Sequence, residues 1–203
     1  MTAGRRGRPG YDLDSLLDKA VVVFTERGFD GASMEDLSRR LGITKSAIYH
    51  HVESKDQLLA LALDRALDGL SAVVDEAEAS RLPAIARLEL VLRGSVRVLV
   101  AQLPFVTLLV RVRGNTSVER RALARRRELD RRVAELMSQA VAEGDIRPDI
   151  DPALTSRLLF GMVNSLTEWL QPRRGIDSGA LADALVATAF EGLRVTRAAC
   201  AER

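Results

Sequence analysis

The sequence predicts an all-α fold of about nine helices, with a small N-terminal three-helix domain joined to a larger helical domain. Three observations support this prediction. Apolar residues recur at helical spacing along most of the 203 residues, no segment keeps the period-2 alternation of a strand, and glycine or proline separates the apolar segments. The content of 47% hydrophobic and 29% charged residues is ordinary for a folded chain.

The first two helices are predicted from their end signals. Leu13 begins the first helix, which Asp12 can cap and Gly28 can end. The second helix covers 34–41, with Ser33 as its cap and acidic residues in its first turn, where the helix dipole favours them. Gly42 ends it, since glycine tolerates the left-handed backbone of a tight turn.

Two more helices follow this turn, and five others fill the rest of the chain. Thr44 can cap a short third helix that runs through Val52, and Ser54 can cap a fourth that continues into the 70s. The later helices are predicted between proline and glycine breaks, at 82–103, 104–113, 117–143, 152–170 and 178 to about 197. We expect three segments: a flexible basic arm at 1–10, a small helical domain at 11–57, and a larger helical domain at 58–203.

The second and third helices have the pattern of a helix-turn-helix. Leu37, Leu41, Ile43 and Ile48 supply its apolar inner face, and Gly42 supplies the turn. The third helix is then the recognition helix, whose N-terminal residues face base edges in the major groove of DNA. The candidate DNA contacts are Ser33, Thr44, Lys45, Ser46, Ala47, Tyr49, His50 and Lys55.

The N-terminal segment also resembles a known family. Residues 16–59, "LLDKAVVVFTERGFDGASMEDLSRRLGITKSAIYHHVESKDQLL", are similar to the DNA-binding domain of TetR-type transcriptional regulators. The residues that fall on the family pattern are Ala20, Phe24, Gly28, Phe29, Leu37, Gly42, Tyr49 and Lys55. Three positions depart from it: Ser38 stands where alanine is usual, Ser46 where glycine is frequent, and Val52 where phenylalanine is commonest. The resemblance implies a homodimer that binds a palindromic operator and releases it when a small ligand enters the C-terminal domain.

Other interpretations of the same residues remain open at this point. His50 and His51 are the only histidines and point about 100° apart on a helix, so they cannot build a three-histidine zinc site. No set of nucleophile, base and orienting residue indicates catalysis, and no cofactor is predicted. Lys45 and Lys55 can be read as solvated charges, and the arginines at 5, 6 and 8 as a solubility segment instead of a minor-groove contact.

The composition also indicates the cellular compartment of the protein. Cys200 is the only cysteine, the N-terminus has no apolar run after its arginines, and the most apolar stretch, 98–112, is interrupted by polar residues and proline. These features predict a cytoplasmic protein without a signal peptide or membrane span. The net charge is only +2, so attraction to DNA has to come from local clusters.

The C-terminal half carries candidates for a ligand site. Apolar side chains and a few polar groups suit a mostly apolar pocket with orienting hydrogen bonds. The candidate ligand-binding residues are Phe105, Leu109, Arg113, Met137, Phe160, Asn164, Glu168 and Trp169. Each of them can also be plain core. Segment 111–132 contains nine arginines and three acids, which fits either a solvated helix face or a site for ligand phosphates.

A second resemblance concerns the effector class. "LLFGMVNSLTEWLQP", 158–172, is similar to the eighth helix of TetR-type regulators that respond to acyl-CoA thioesters, although Leu170 stands where tyrosine often follows the tryptophan. It implies a hydrophobic or acyl-CoA-like effector that contacts Trp169, with phosphates held by some of Arg120, Arg121, Arg125 and Arg126.

The last two predicted helices alternate small and large apolar residues, which favours a four-helix dimer interface. The prediction is therefore a ligand-responsive, homodimeric repressor. A ligand-independent DNA-binding protein and an all-helical enzyme are the alternatives.

Overall fold

The computed structural model describes residues 12–171 and 177–191, and this part of the chain contains nine α-helices and no strand. The helices are α1 (Leu13–Arg27), α2 (Met34–Leu41), α3 (Lys45–Tyr49), α4 (Lys55–Ala79), α5 (Ala84–Ala101), α6 (Leu103–Arg111), α7 (Ser117–Ala142), α8 (Pro152–Trp169) and α9 (Ser178–Glu191). The predicted all-α fold is confirmed. The predicted arm at 1–10 and the end of the ninth helix, 192–197, lie outside the described residues.

Side-chain caps begin the N-terminal helices where the sequence predicts them. The Asp12 carboxylate accepts the Ser15 N–H at 2.8 Å, and Ser33 and Asp36 form a reciprocal capping box at the start of α2. Thr44 and Ser54 cap α3 and α4 in the same way. These bonds satisfy N–H groups that have no partner inside the helix, so they fix where each helix begins.

Four predicted helix boundaries are wrong by two or three residues. α5 ends at Ala101 instead of Leu103, and α6 ends at Arg111 instead of Arg113. α3 ends at Tyr49 instead of Val52, because the N–H groups of His51 and Val52 both donate to the Ile48 carbonyl and close the last turn early. α5 begins at Ala84 instead of Leu82, after Pro83, which supplies no side-chain cap. The Ala84 N–H instead donates to the Glu143 carboxylate at 2.7 Å, a contact across 59 residues that local sequence cannot indicate.

Helices α1 to α3 pack around buried Leu16, Phe24, Leu37 and Ile48. α4 starts beside this group and continues for 25 residues between α5 and α7. α6 packs on α1 on one side and on α4 and α5 on the other. Two helices, α4 and α6, therefore connect the N-terminal three-helix group with the rest of the molecule.

No single helix in the described part of the chain is long and apolar enough to cross a bilayer. The consecutive helices α5 and α6 have a suitable composition together, but they are bent by 105° relative to each other.

Candidate nucleic-acid interface and ligand cavity

The turn between α2 and α3 is closed by a glycine and a serine. Gly42 has φ 66°, the left-handed conformation that glycine adopts without strain. The Ile43 N–H donates to the Ser38 carbonyl at 3.2 Å, and the Ser38 hydroxyl donates to the Ile43 carbonyl at 2.8 Å. Ser38, one of the three residues that depart from the family pattern, thus connects α2 to the turn through hydrogen bonds.

Helix α3 presents a polar edge to solvent. Ile48 is fully buried and fixes the rotation of the helix about its axis. The predicted contact residues on the other side are accessible: Thr44, Lys45, Ser46, Tyr49 and His50 are exposed, and Ala47 is half-buried. Ser33 is also exposed, although its hydroxyl is engaged with Asp36 in the capping box.

Lys45 is paired with an acid in the free protein. Its ammonium lies 3.0 Å from the Glu35 carboxylate on α2. Both side chains are more than half exposed, and ion pairs of this kind contribute about 0–1 kcal/mol. A DNA phosphate or base can therefore replace Glu35 as the partner of Lys45 at little cost.

Lys55 has a structural role that the sequence did not indicate. Its Nζ donates to the carbonyl oxygens of Phe29 (2.8 Å) and Ala32 (2.9 Å) and lies 4.2 Å from the centroid of the Phe29 ring. These contacts tie the start of α4 to the loop between α1 and α2. An ammonium has three protons, so one remains for a phosphate.

An apolar cavity with about 40 Å³ of free space lies between α4, α5, α6, α7 and α8. We call it the inner cavity. Most of its wall is aliphatic, and four residues bring polar or charged groups to it. The lining residues are Leu70, Val74, Ser95, Val106, Leu109, Val110, Arg126, Leu129, Asp130, Phe160 and Asn164.

A more open hollow of about 320 Å³ adjoins the inner cavity between α7 and α8. We call it the cavity mouth. It shares Arg126, Asp130, Phe160 and Asn164 with the inner cavity, and adds Leu123, Arg127, Arg157 and Gly161. Three arginines and one aspartate therefore surround the entrance to an apolar interior.

Three other arginines of α7, Arg125, Arg131 and Arg132, form ion pairs. Two of them bind acids of α4 in an arrangement that we call the α4–α7 ladder. Its pairs are Arg125 with Asp64 and Asp68 (2.7 and 2.6 Å) and Arg132 with Asp75 and Glu78 (2.7 and 3.0 Å). Arg120 instead donates to the carbonyls of Gly114 and Asn115.

Burial raises the pKa of the Asp130 carboxyl above its usual range, and the positive charges of Arg126 and Arg157 oppose this effect without cancelling it. Among the described residues, no ion pair within 4.0 Å and no hydrogen bond engages the side chains of Arg126, Arg127 or Arg157. The mouth therefore keeps positive groups that a ligand can bind.

Comparison with known proteins assigns both halves of the chain. Residues 16–62 match the family model described as bacterial regulatory proteins, tetR family, and residues 81–193 match that of the tetracyclin repressor-like C-terminal domain. The second match alone covers more than half of the chain. The protein belongs to the TetR family.

Individual relatives of this TetR-family chain align over nearly its whole length. A TetR-family regulator from Streptomyces coelicolor A3 is 50% identical, with a TM-score of 0.82 and coverage of 96% of each chain. The HTH-type transcriptional repressor KstR2 of Rhodococcus jostii (strain RHA1) is 28% identical over 95% of this chain and 94% of its own. AibR, solved in complex with isovaleryl coenzyme A and operator DNA, is 24% identical with a TM-score of 0.74, covers 88% of this chain and 97% of its own, and is similar in fold.

The TetR-family assignment confirms the resemblance found in the sequence. The chain is a DNA-binding transcriptional regulator, a class of protein that normally has no enzymatic activity. Within the described residues, no group of three or more histidine, cysteine or acidic side chains could hold a metal ion.

The structure brings together only part of the predicted ligand site. Leu109, Phe160 and Asn164 line the inner cavity, whereas the other five predicted residues do not. Phe105 is buried under the Arg65 guanidinium, which lies 4.6 Å from its ring centroid, and Met137 is buried in the core. Arg113 is exposed in the link after α6, and Glu168 is exposed one turn beyond Asn164 on α8.

Trp169, which the sequence analysis assigned to the ligand site, also lies outside the cavity. It is 59% exposed and lies nine residues after Phe160, which is half a rotation around an α-helix. It therefore points away from the cavity and cannot report directly on a ligand there. Of the four arginines predicted to hold phosphates, Arg120 and Arg125 are engaged within the chain, Arg121 lines neither hollow, and only Arg126 reaches the cavity.

Several cavity residues were missed from the sequence. Leu70, Val74, Val106, Val110 and Leu129 look like ordinary core, so nothing local separates them from other aliphatic residues. Ser95 had a signal, since it is a polar residue on the apolar face of α5, one turn after Val91 and Leu92 and one turn before Leu99. Arg127, Asp130 and Arg157 are charged residues on helices rich in charge or polar groups, and only the packing of α7 on α8 distinguishes them.

Proposed function

We propose that this protein is a homodimeric repressor that leaves its operator when an amphiphilic anion enters the inner cavity. The observation that carries this proposal is the position of α6. Val106, Leu109 and Val110 on α6 line the cavity, while the same helix packs on α1 of the N-terminal three-helix group. A ligand that displaces α6 therefore acts directly on the domain that carries α3.

Polar contacts reinforce this junction. The Arg111 guanidinium at the end of α6 donates to the Thr25 carbonyl of α1 at 3.2 Å. Arg65 of α4 reaches Asp14 and Asp18 of α1 and also stacks on Phe105 of α6. α4 lines the cavity too, through Leu70 and Val74, so both connecting helices form part of its wall.

Binding of the ligand and binding of DNA are coupled through α4 and α6. A ligand that binds better to the arrangement unable to span the operator shifts the population towards it. Linkage is reciprocal, so operator DNA weakens ligand binding by the same factor.

The DNA-binding surface is formed by α3 and the residues beside it. Lys45, Ser46 and Ala47 are placed for base edges, and Thr44, Tyr49, His50, Ser33 and the third proton of Lys55 for phosphates. Replacing Lys45 or Ser46 by alanine should change preference at particular base pairs by roughly 1–3 kcal/mol. A uniform loss across all operator variants would place these residues among the phosphate contacts.

The proposed dimer interface is formed by α8 and α9. Leu154, Leu158 and Trp169 are more than half exposed and share one face of α8, with exposed Gly161 and Ser165 between them. Two copies of this face, each with α9, would make a four-helix bundle and set the two α3 helices about 34 Å apart. Leu158→Glu should yield monomers in analytical ultracentrifugation and lose operator affinity, whereas Leu82→Glu, at another exposed leucine, should remain dimeric.

The effector proposal is supported by the cavity. Its aliphatic wall suits an acyl chain, and Arg126, Arg127 and Arg157 suit a carboxylate or the phosphates of coenzyme A. AibR is solved with isovaleryl coenzyme A, but its similarity to this chain concerns the fold. The acyl-CoA proposal therefore depends on this chain's own arginines.

The proposal is tested with operator sequences selected by the full chain from random duplex DNA. Decanoic acid and decanoyl-CoA are then titrated into the fluorescent complex, and anisotropy should fall as DNA is released. An operator complex that neither compound disturbs would favour the ligand-independent DNA-binding protein.

A further inference from the structure

Three hydroxyl residues are buried in the described helices, Ser95, Thr155 and Ser156, and among them Ser95 alone lines the inner cavity. The Ser156 hydroxyl donates to the carbonyl four residues earlier at 2.7 Å, as do the hydroxyls of half-buried Thr107 and exposed Thr188. The Ser95 hydroxyl makes no hydrogen bond to any group in the described part of the chain, although the residue is only 2% exposed. Among the described residues, the side-chain atoms that are buried without a partner are Arg87 Nε and Gln102 Oε1, so the Ser95 oxygen keeps some exposure where Ser95 lines the inner cavity.

The position of Ser95 is fixed by its neighbour Gly94. A Cβ added at Gly94 would lie 2.4 Å from a methyl carbon of Val73, so α4 and α5 are in close contact at this point. Ser95 is therefore held on a rigid part of the wall, which is a condition for selective hydrogen bonding.

Ser95 lines the inner cavity but not the mouth. The charged residues Arg126 and Asp130 line both hollows, whereas Ser95 and the aliphatic residues of α4 and α6 line the inner cavity alone. A ligand whose anionic head lies at the mouth would therefore place its apolar body, and not its head, against this hydroxyl.

We infer that the effector carries an oxygen acceptor on its apolar body and that Ser95 selects for it by donating a hydrogen bond. This inference rests on the proposed function, because it requires the inner cavity to hold the effector. A plain alkyl chain would cover the hydroxyl and leave it unpaired. Sites with a polar group that a ligand must satisfy reject analogues that lack the matching group.

The inference is tested by calorimetry on the full chain at pH 8 with decanoic acid and the oxodecanoic acids, which differ in the position of one ketone. A ketone only accepts hydrogen bonds, so the ionised Asp130 carboxylate cannot bind it in place of Ser95. At least one ketone position should bind roughly 2- to 12-fold more tightly than decanoic acid, the range for one hydrogen bond. The same chains as coenzyme A thioesters form a second arm, which distinguishes a carboxylate head from CoA phosphates at the mouth.

Two serine variants decide which residue confers the preference. Ser95→Ala removes a hydroxyl without a partner, so the variant should fold and bind ketone and alkyl chains with equal affinity. Ser156→Ala is the matched control, since Ser156 is buried to a similar degree on α8 but donates to the Pro152 carbonyl. This control should keep the preference.

The outcomes separate the inference from the function on which it rests. A position-dependent preference in either arm that Ser95→Ala abolishes supports the inference. Binding and operator release by decanoic acid or its thioester, with no ketone preference or with one that persists in Ser95→Ala, would overturn the inference alone. If no compound binds, the proposed effector cavity fails together with it.

Discussion

Helix α7 has two faces with opposite electrostatic arrangements. On the face towards α4, Arg125 and Arg132 are seven residues apart and each binds two acids. On the face towards the cavity, Arg126 and Asp130 are four residues apart and form no ion pair within 4.0 Å. An arginine is therefore available to a ligand where the fold places no acid within ion-pair distance of it. A high local content of arginine is not sufficient.

The largest effect is expected from reversing the charge on the cavity face. Arg126→Glu should raise the dissociation constant for decanoyl-CoA roughly ten- to hundredfold, the loss of one charge-assisted hydrogen bond. Operator affinity of the ligand-free protein should stay nearly constant. Calorimetry and anisotropy measure the two quantities, and Arg131→Glu, on the solvent side of α7, serves as the control. Equal losses in both variants would contradict a localised site at the mouth.

The α4 face should affect stability instead of ligand affinity. Arg132→Gln leaves Asp75 and Glu78 without their shared partner, so the free energy of unfolding should fall by about 1 kcal/mol, the upper end for partly exposed pairs. Urea denaturation measures this change, which should shrink as salt screens the remaining charges. An unchanged midpoint at low salt would mean that the ladder does not stabilise the helix pair.

A smaller and pH-dependent effect is expected at Asp130. Because burial raises its pKa in the folded protein above the ordinary value of 3.8, the ionised form is disfavoured and stability is lost as pH rises through the folded pKa. Asp130→Asn should therefore stabilise the protein at pH 7 by about 0.5 kcal/mol, a figure reduced for its partial exposure. This gain in stability should disappear below pH 3.8, where the aspartate carboxyl and the amide that replaces it are both neutral. A gain independent of pH would point to packing as the cause.

The smallest effect is expected on the solvent side of α7. Arg131 binds Glu128 and Glu135, and its hydrogen bond lowers the pKa of the Glu128 carboxyl. All three side chains are more than half exposed, so Arg131→Gln should leave the urea midpoint at neutral pH unchanged within error. A loss as large as that of Arg132→Gln would remove the distinction between partly buried and exposed pairs on this helix.

Prediction from sequence was most accurate in the N-terminal three helices. Caps, the positive-φ glycine and the buried positions of a helix-turn-helix depend on residues within a few positions of one another, so Asp12, Ser33, Gly42 and Ile48 have the predicted local roles. The Lys55 contacts with Phe29 and Ala32 were not predicted, because they join segments more than 20 residues apart.

Prediction was weaker for the cavity, where membership depends on helix rotation and on which helices meet. Phe160, Asn164 and Trp169 were all assigned to the cavity on their chemical type. Phe160 and Asn164 share the face of α8 that lines it, whereas Trp169 lies on the opposite face. Arg125 and Arg126 are adjacent in the sequence and point about 100° apart, so one binds α4 and the other reaches the cavity.

The sequence by itself determined the helical class, most helix starts, the helix-turn-helix and the family, since these depend on local periodicity, capping and short motifs. Only the tertiary structure decided that α6 lies between the cavity and α1, that Arg126 stays without an ion pair while Arg125 does not, and that the Ser95 hydroxyl faces an apolar space. The physical reason is that a partner, or its absence, is a property of surfaces brought together across many residues, and helical periodicity carries no information about which surfaces meet.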